Sequence, residues 1–442
     1  MKVLVLGAGI IGTSTAWHLL ERGHEVIVVD RQPRSAQEAS FANAAQISVS
    51  YCEPWANKQA PAKLLKWMFR NDAPLLFRPQ FDWQQWRWGL QFLTECNDRA
   101  FERNVAQLVA LGNYSHAALK DVVRGTGIEY HRLQRGIAHY YTDEASLAAA
   151  GEAAALMRKY GVNRKVVSKE ELFRIEPALA SFGHRIVGGT YTPSDESGDA
   201  REFTEQLATL AAARGAEFRF NHDVVRLQRA GGEVQSVLVR DRLTGATQRI
   251  VADEVVVACG AYSAPLLRSV GVDLPIYPGK GYSATFKVKR PELAPQVSAI
   301  DDALKVAMSR LGDELRVAGT IELSGYHMDL ASPVAQARCR MLARRIEEVM
   351  PGACDTRLPE EGGEPRFWTG LRPSTPTNVP YIGRTKVGKL WVNAGHGTLG
   401  WTHGAGSGKA MAELISGRTP RMAFNFHGPA PKRTRELQAQ PA

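Results

Sequence analysis

The apolar run from Lys2 to Leu6 breaks into Gly7-Ala8-Gly9-Ile10-Ile11-Gly12, and this junction constrains the chain more than any other stretch. A short run of Val and Leu suits a parallel strand buried on both faces. The first glycine permits a tight turn, the second lets backbone approach a pyrophosphate, and the third lets a helix pack closely on the strand. Thr13 to Glu21 continues at helical spacing, and Gly23 follows as its stop. Glu25 to Val29 reads as a second strand ending in Asp30, placed to accept hydrogen bonds from a ribose hydroxyl. Strand, turn, helix, strand and acid in this order predict a dinucleotide-binding unit. Its expected contacts are Val3 in the strand, Gly7, Gly9, Ile10, Ile11 and Gly12 at the phosphates, and Asp30 with Arg31 at the ribose.

The 442 residues exceed one simple core and suit two intertwined domains or one large one. Apolar residues at 44% and charged residues at 23% are ordinary for a folded globular protein. The balance of 55 Lys and Arg against 45 Asp and Glu gives a net charge of +10, which attracts anions. The basic residues form no long run and no nucleic-acid module is present, so no nucleic-acid partner is expected. Cys52, Cys96, Cys259, Cys339 and Cys354 lie far apart with no CxxC pair. That pattern suits reduced thiols in the cytoplasm, with neither a metal site nor a disulfide framework. No uncharged run is long enough to span a bilayer, so any membrane contact is expected to be peripheral.

Two later segments bear on which dinucleotide is held. Asp253 to Gly260, followed by Ala261-Tyr262-Ser263, reads as another buried strand ending in a small-residue turn, with Ala258 and Gly260 near the cofactor. Lys389 to Thr402 reads as a late strand, a glycine-rich turn and a helix start ahead of Gly404 to Ile415. Such a start places Gly397, Thr398, Leu399, Gly400 and Thr402 at the pyrimidine edge of a flavin, where negative charge gathers on reduction.

Further blocks are SFANAAQIS (40–48), Glu53-Pro54-Trp55-Ala56, KWMF (66–69), TPSDESGD (192–199), YPGKGYS (277–283), FWTGLRPSTP (367–376) and NAGHGTLGWT (393–402). With them the chain resembles the glycine oxidase and D-amino acid oxidase superfamily of FAD amine oxidoreductases, and within it the small-subunit family of bacterial D-amino acid dehydrogenases. The resemblance spans nearly the whole chain. It implies an α/β fold in which a Rossmann-type FAD-binding domain is interwoven with an α+β substrate domain built on an antiparallel sheet, and it implies non-covalent FAD. The implied reaction is oxidative deamination of a D-amino acid or imino acid. Hydride leaves the alpha carbon for flavin N5, and water hydrolyses the imine to a 2-oxo acid and ammonia. Electrons then pass to a quinone or the respiratory chain. The implied residues are Arg372 of GLRP, whose two-pronged guanidinium grips the substrate carboxylate, and Tyr282 beside Lys280, which adds a second hydrogen bond. Ala42, Asn43, Ala44 and Gln46 form the loop that passes the flavin ring, and backbone at Val224 meets the adenine side. His396, between two glycines, is expected to have no proton-transfer role.

The FAD-binding domain is expected to be discontinuous, over 1–60, 145–180, 195–275 and 365–425. Segments 61–144, 181–194 and 276–364 make the substrate domain, and 428–442 a mobile tail. Trp67, Trp83, Trp86 and Trp88 stand among Lys66, Arg70, Arg78 and Arg87. This region reads either as a contact with the cytoplasmic face of the inner membrane near quinone or as a lid over the substrate domain. Pro376 to Pro380 departs from the Asp-Gly-like turn of close relatives. Three alternatives therefore stay open: a D-hydroxyproline or D-proline dehydrogenase, a glycine or sarcosine-type oxidase using oxygen, and a non-catalytic FAD-stabilised binding protein.

Overall fold

A computed structural model describes residues 1–67 and 74–428. The expected mobile tail, apart from Gly428, and part of the KWMF block therefore lie outside the described residues. Among the described residues, a six-stranded sheet runs Tyr381–Arg384, Leu390–Ala394, Glu254–Val257, Lys2–Leu6, Glu25–Val29, Glu217–Arg219. All neighbours are parallel except the first pair. Val3 to Leu6 are fully buried because helices cover one face and a three-stranded sheet (His222–Ala230, Glu233–Asp241, Thr247–Ile250) closes the other. The expected strand–turn–helix–strand opening is thus present, with its helix at Ile10–Leu20.

A nine-stranded mixed sheet starts at Arg366–Ser374 and continues through Tyr277–Lys287, Glu314–Leu323, Val306–Leu311, Ser298–Asp301, Ile137–Tyr141, Gly188–Thr192 and Lys165–Val167, with Leu75–Phe77 beside Glu314–Leu323. The alternation of strand side chains sorts its residues. Tyr282, Ala284, Phe286, Val306, Met308, Leu315 and Val317 form one core with the helix Pro333–Val349. The opposite face carries small residues and meets the loop that follows the second strand. Ser309 Oγ donates to the Ala44 carbonyl at 2.8 Å, and Gln46 Nε2 donates to Ser298 Oγ at 2.8 Å.

Three segments sit elsewhere than the sequence division put them. Strand Arg366–Ser374, assigned to the FAD-binding domain, pairs along its whole length with Tyr277–Lys287 in the nine-stranded sheet. Lys165–Val167, also so assigned, pairs with Gly188–Thr192 there. Helix Asp98–Thr126, assigned to the substrate domain, packs its Leu111, Ala118 and Val122 into the core over the six-stranded sheet. Its approach to the last helix, Gly400–Ile415, is close enough for Gly406 N–H to donate to Ser115 Oγ at 3.0 Å. Chain order alone could not place these elements, because both sheets draw strands from distant segments.

Candidate active site

The turn after the first strand is built for close backbone approach. Gly7 has φ +104°, and a Cβ there would lie 2.5 Å from the Ala258 carbonyl oxygen; one on Gly12 would lie 1.8 Å from the Gly7 oxygen. No side chain fits at either position. Gly9 caps the helix without a side-chain hydrogen bond, and the first turn holds no acid, so the positive end of the helix dipole is uncompensated. Two cradle N–H groups are already committed: Ala8 donates to Asp30 Oδ2 at 2.6 Å and Ile10 to Ser40 Oγ at 3.1 Å. Asp30 Oδ1 also accepts from Gln32 N–H at 2.8 Å, and burial raises its carboxyl above the usual range. Each oxygen keeps a lone pair for a hydroxyl. Arg31 is held by Glu38 and lies 3.9 Å over the Tyr262 ring. The glycine cradle, the bare helix end and the acid after the second strand fit a dinucleotide diphosphate and its ribose. Val224 stands next to a bulge in its ladder, two residues beyond His222, whose N–H donates to the Asp30 carbonyl.

The other candidate turns converge on one strand. Arg366–Ser374 packs against both Gly260–Tyr262 and Gly397–Leu399. The segment that follows the 42–46 loop is tied down: Ser48 N–H donates to Thr402 Oγ1, and Asp195 accepts from the Ser48 and Ser50 hydroxyls and from the Val49 and Ser50 N–H groups. Asp195 lies inside the TPSDESGD block, where the sequence alone assigns it no role. Its signal, an acid with nothing to mark its partners, becomes legible only when the Gln46–Ile47 and Glu196–Ser197 strands pair.

Arg372 lies at this junction. Its Nη1 donates to the Thr320 carbonyl at 2.8 Å, and the guanidinium rests over Gly281, where a Cβ would be 2.3 Å away. No carboxylate among the described residues pairs with it, and burial lowers it to about 10. Tyr282 is a correction. It pairs with Thr369 on the adjacent strand, but its side chain faces the core over Pro333–Val349, and its hydroxyl donates to Glu322 Oε2 at 2.6 Å. Strand alternation turns residue 282 away from the face on which Arg372 covers residue 281. Lys280 shares the Tyr282 face, donating to the Asp329 carbonyl. His396 Nε2 meets Ser407 Oγ at 2.8 Å, and burial holds its ring well below the usual range, so it is neutral.

The FAD dependent oxidoreductase family model matches residues 2–414. A D-amino acid dehydrogenase of Dechloromonas aromatica is 50% identical over 426 residues, 96% of this chain and 99% of the relative. The chain belongs to the FAD-dependent oxidoreductase family. One from Paramagnetospirillum magneticum, also a D-amino acid dehydrogenase, is 45% identical over 97% of the chain and 98% of its own length. The fold of this oxidoreductase is shared with glycine oxidase from Bacillus cereus at a TM-score of 0.69, 22% identity and coverage of 94% and 95% of the two chains.

The tryptophan-rich region divides by face. In helix Trp83–Thr94, Trp88 is buried, stacks on Phe92 at 5.3 Å and donates from Nε1 to the Ser374 carbonyl at 2.9 Å. Trp83, Trp86, Leu90 and Leu93 face outward with Phe81. Arg70 and the Lys66 and Trp67 side chains lie outside the described residues. No described helix is long and apolar enough to cross a membrane.

Proposed function

We propose that this FAD-dependent enzyme oxidatively deaminates D-amino acids to 2-oxo acids and ammonia. The observation that carries the reading is Arg372: a partly buried guanidinium with no acidic partner among the described residues, on the strand against which the Gly260–Tyr262 and Gly397–Leu399 turns pack. An unpaired, partly buried cation loses solvation that a ligand anion can replace. A substrate carboxylate does so in two-pronged geometry and fixes the alpha carbon for reaction. Bound FAD supplies the two-electron acceptor for the alpha-carbon hydride. The chain holds it with Gly7, Gly9, Gly12 and Asp30, the 42–46 loop and the 397–402 turn. The neutral, bonded His396 leaves proton release to the substrate amine and solvent. The names of the relatives supply the D-amino acid class.

The test is anaerobic flavin reduction with D- and L-amino acids, glycine, sarcosine and D-hydroxyproline. Bleaching led by a D-amino acid supports the reading. Bleaching led by glycine or sarcosine, or none at all, overturns it.

The electron acceptor belongs to the same reading. The outward ridge of helix Trp83–Thr94 and the net charge of +10 suit peripheral contact with an anionic membrane on its cytoplasmic face, where quinone takes the electrons. Rapid reduction of a soluble quinone analogue with little peroxide is the expected outcome in steady-state assays; stoichiometric peroxide would mean oxygen is the acceptor.

A further inference from the structure

With Tyr282 turned away, one hydrogen-bond donor to the substrate carboxylate is missing from the Arg372 face. Strand Glu314–Leu323 supplies a candidate. Its pairing with Tyr277–Lys287 slips between Lys280 and Tyr282, so that Thr320 and Ile321 together oppose Gly281. Of the eight non-glycine residues with left-handed φ among the described residues, Thr320 at +54° is the β-branched one. A branched side chain is rare in that region, and such outliers gather at functional sites. Thr320 is 6% exposed, and its hydroxyl has no hydrogen-bond partner. A buried hydroxyl left unbonded calls for an explanation. The carbonyl of the same residue takes Arg372 Nη1. Covalent geometry keeps a threonine hydroxyl within about 5 Å of its own carbonyl oxygen, so it lies near enough for one carboxylate to bridge it and the guanidinium.

Resting on the reading of Arg372 as the carboxylate grip, we infer that the Thr320 hydroxyl donates a hydrogen bond to the substrate carboxylate while its carbonyl anchors the guanidinium. The bulge performs both tasks from one residue. It explains why a branched residue is kept in a conformation that glycine would hold without strain.

The experiment uses the FAD-loaded enzyme and its Thr320→Val, Thr320→Ser and Arg372→Ala variants, with flavin content and thermal melting measured on each. The fastest D-amino acid of the anaerobic panel is compared with its carboxamide. Thr320→Val keeps the shape and loses the donor, so kcat/KM for the amino acid falls about 10- to 100-fold, mainly through KM, as for one hydrogen bond to a charged group. The carboxamide, which offers no anion, is much less affected, and Thr320→Ser restores most of the loss. An unchanged KM in Thr320→Val, or equal losses for acid and amide, overturns the inference. Should Thr320→Val lose its flavin, Thr320→Gly removes the hydroxyl while relieving the backbone, and the same comparison decides. Arg372→Ala separates the two readings. If it raises KM and the Thr320 variants do not, the Thr320 inference alone fails; if it too leaves KM unchanged, the carboxylate binds elsewhere and both fail.

Discussion

Arg372 and Asp30 are both partly buried charges, and they carry opposite consequences. Arg372 has no acidic partner among the described residues, so Arg372→Ala should leave the melting temperature of the ligand-free enzyme unchanged or higher. The same change should raise KM for the amino acid about 30- to 1,000-fold, the usual cost of truncating one partner of a buried charge pair. Calorimetry and steady-state kinetics on one preparation check both halves. A large fall in melting temperature would mean that the arginine is structural. Asp30 bonds the phosphate turn through Ala8 and accepts a ribose hydroxyl more strongly when ionised. Burial raises its carboxyl, so on acidification it takes a proton while surface carboxylates remain charged. FAD affinity is therefore full above that raised value and is lost as pH falls through it. Asp30→Asn should weaken FAD about 10-fold or more at neutral pH and flatten the acid limb, measured by flavin fluorescence on release.

At the scale of elements, helix Trp83–Thr94 is apolar on two sides, with Trp88 and Phe92 packed inward and Trp83, Trp86, Leu90 and Leu93 turned outward. Replacing Trp83 and Trp86 together by glutamate should cut sedimentation with anionic vesicles several-fold while soluble-dye turnover persists; unchanged sedimentation removes the membrane proposal. The sequence signalled an aromatic basic region but not which tryptophan goes where. That assignment depends on Trp88 finding the Ser374 carbonyl, nearly three hundred positions away. The phosphate cradle was legible because strand, turn and helix are contiguous and each glycine meets a local steric demand. Tyr282 was misplaced because a motif records identity and spacing, whereas the face a strand residue takes is decided by the neighbours on either side of it.

Over the whole molecule, the nine-stranded sheet is tied to the helical layer over the six-stranded sheet by a buried ion pair, and to the 42–46 loop by Ser309 and Ser298. Arg316 on the nine-stranded sheet donates to Asp199 Oδ2 at 3.0 Å, and Asp199 also caps helix Ala200–Ala213. Arg316→Ala leaves an unpaired buried carboxylate at a helix start and should cost about 3–5 kcal/mol. Melting followed by tryptophan and by flavin fluorescence should show both signals shifting down together; a shift confined to one would mean that the sheets unfold separately. The contact between Trp88 and Ser374 has a mechanical consequence. One short helix grips the end of the strand that carries Arg372 while turning its greasy side outward. The Trp88 indole ties that helix to the Ser374 carbonyl, two residues from Arg372, and Gln85 ties it to the Leu323 carbonyl of the neighbouring strand. If the outward side meets a lipid surface as proposed, KM for the amino acid is expected to differ between vesicle-bound and free enzyme.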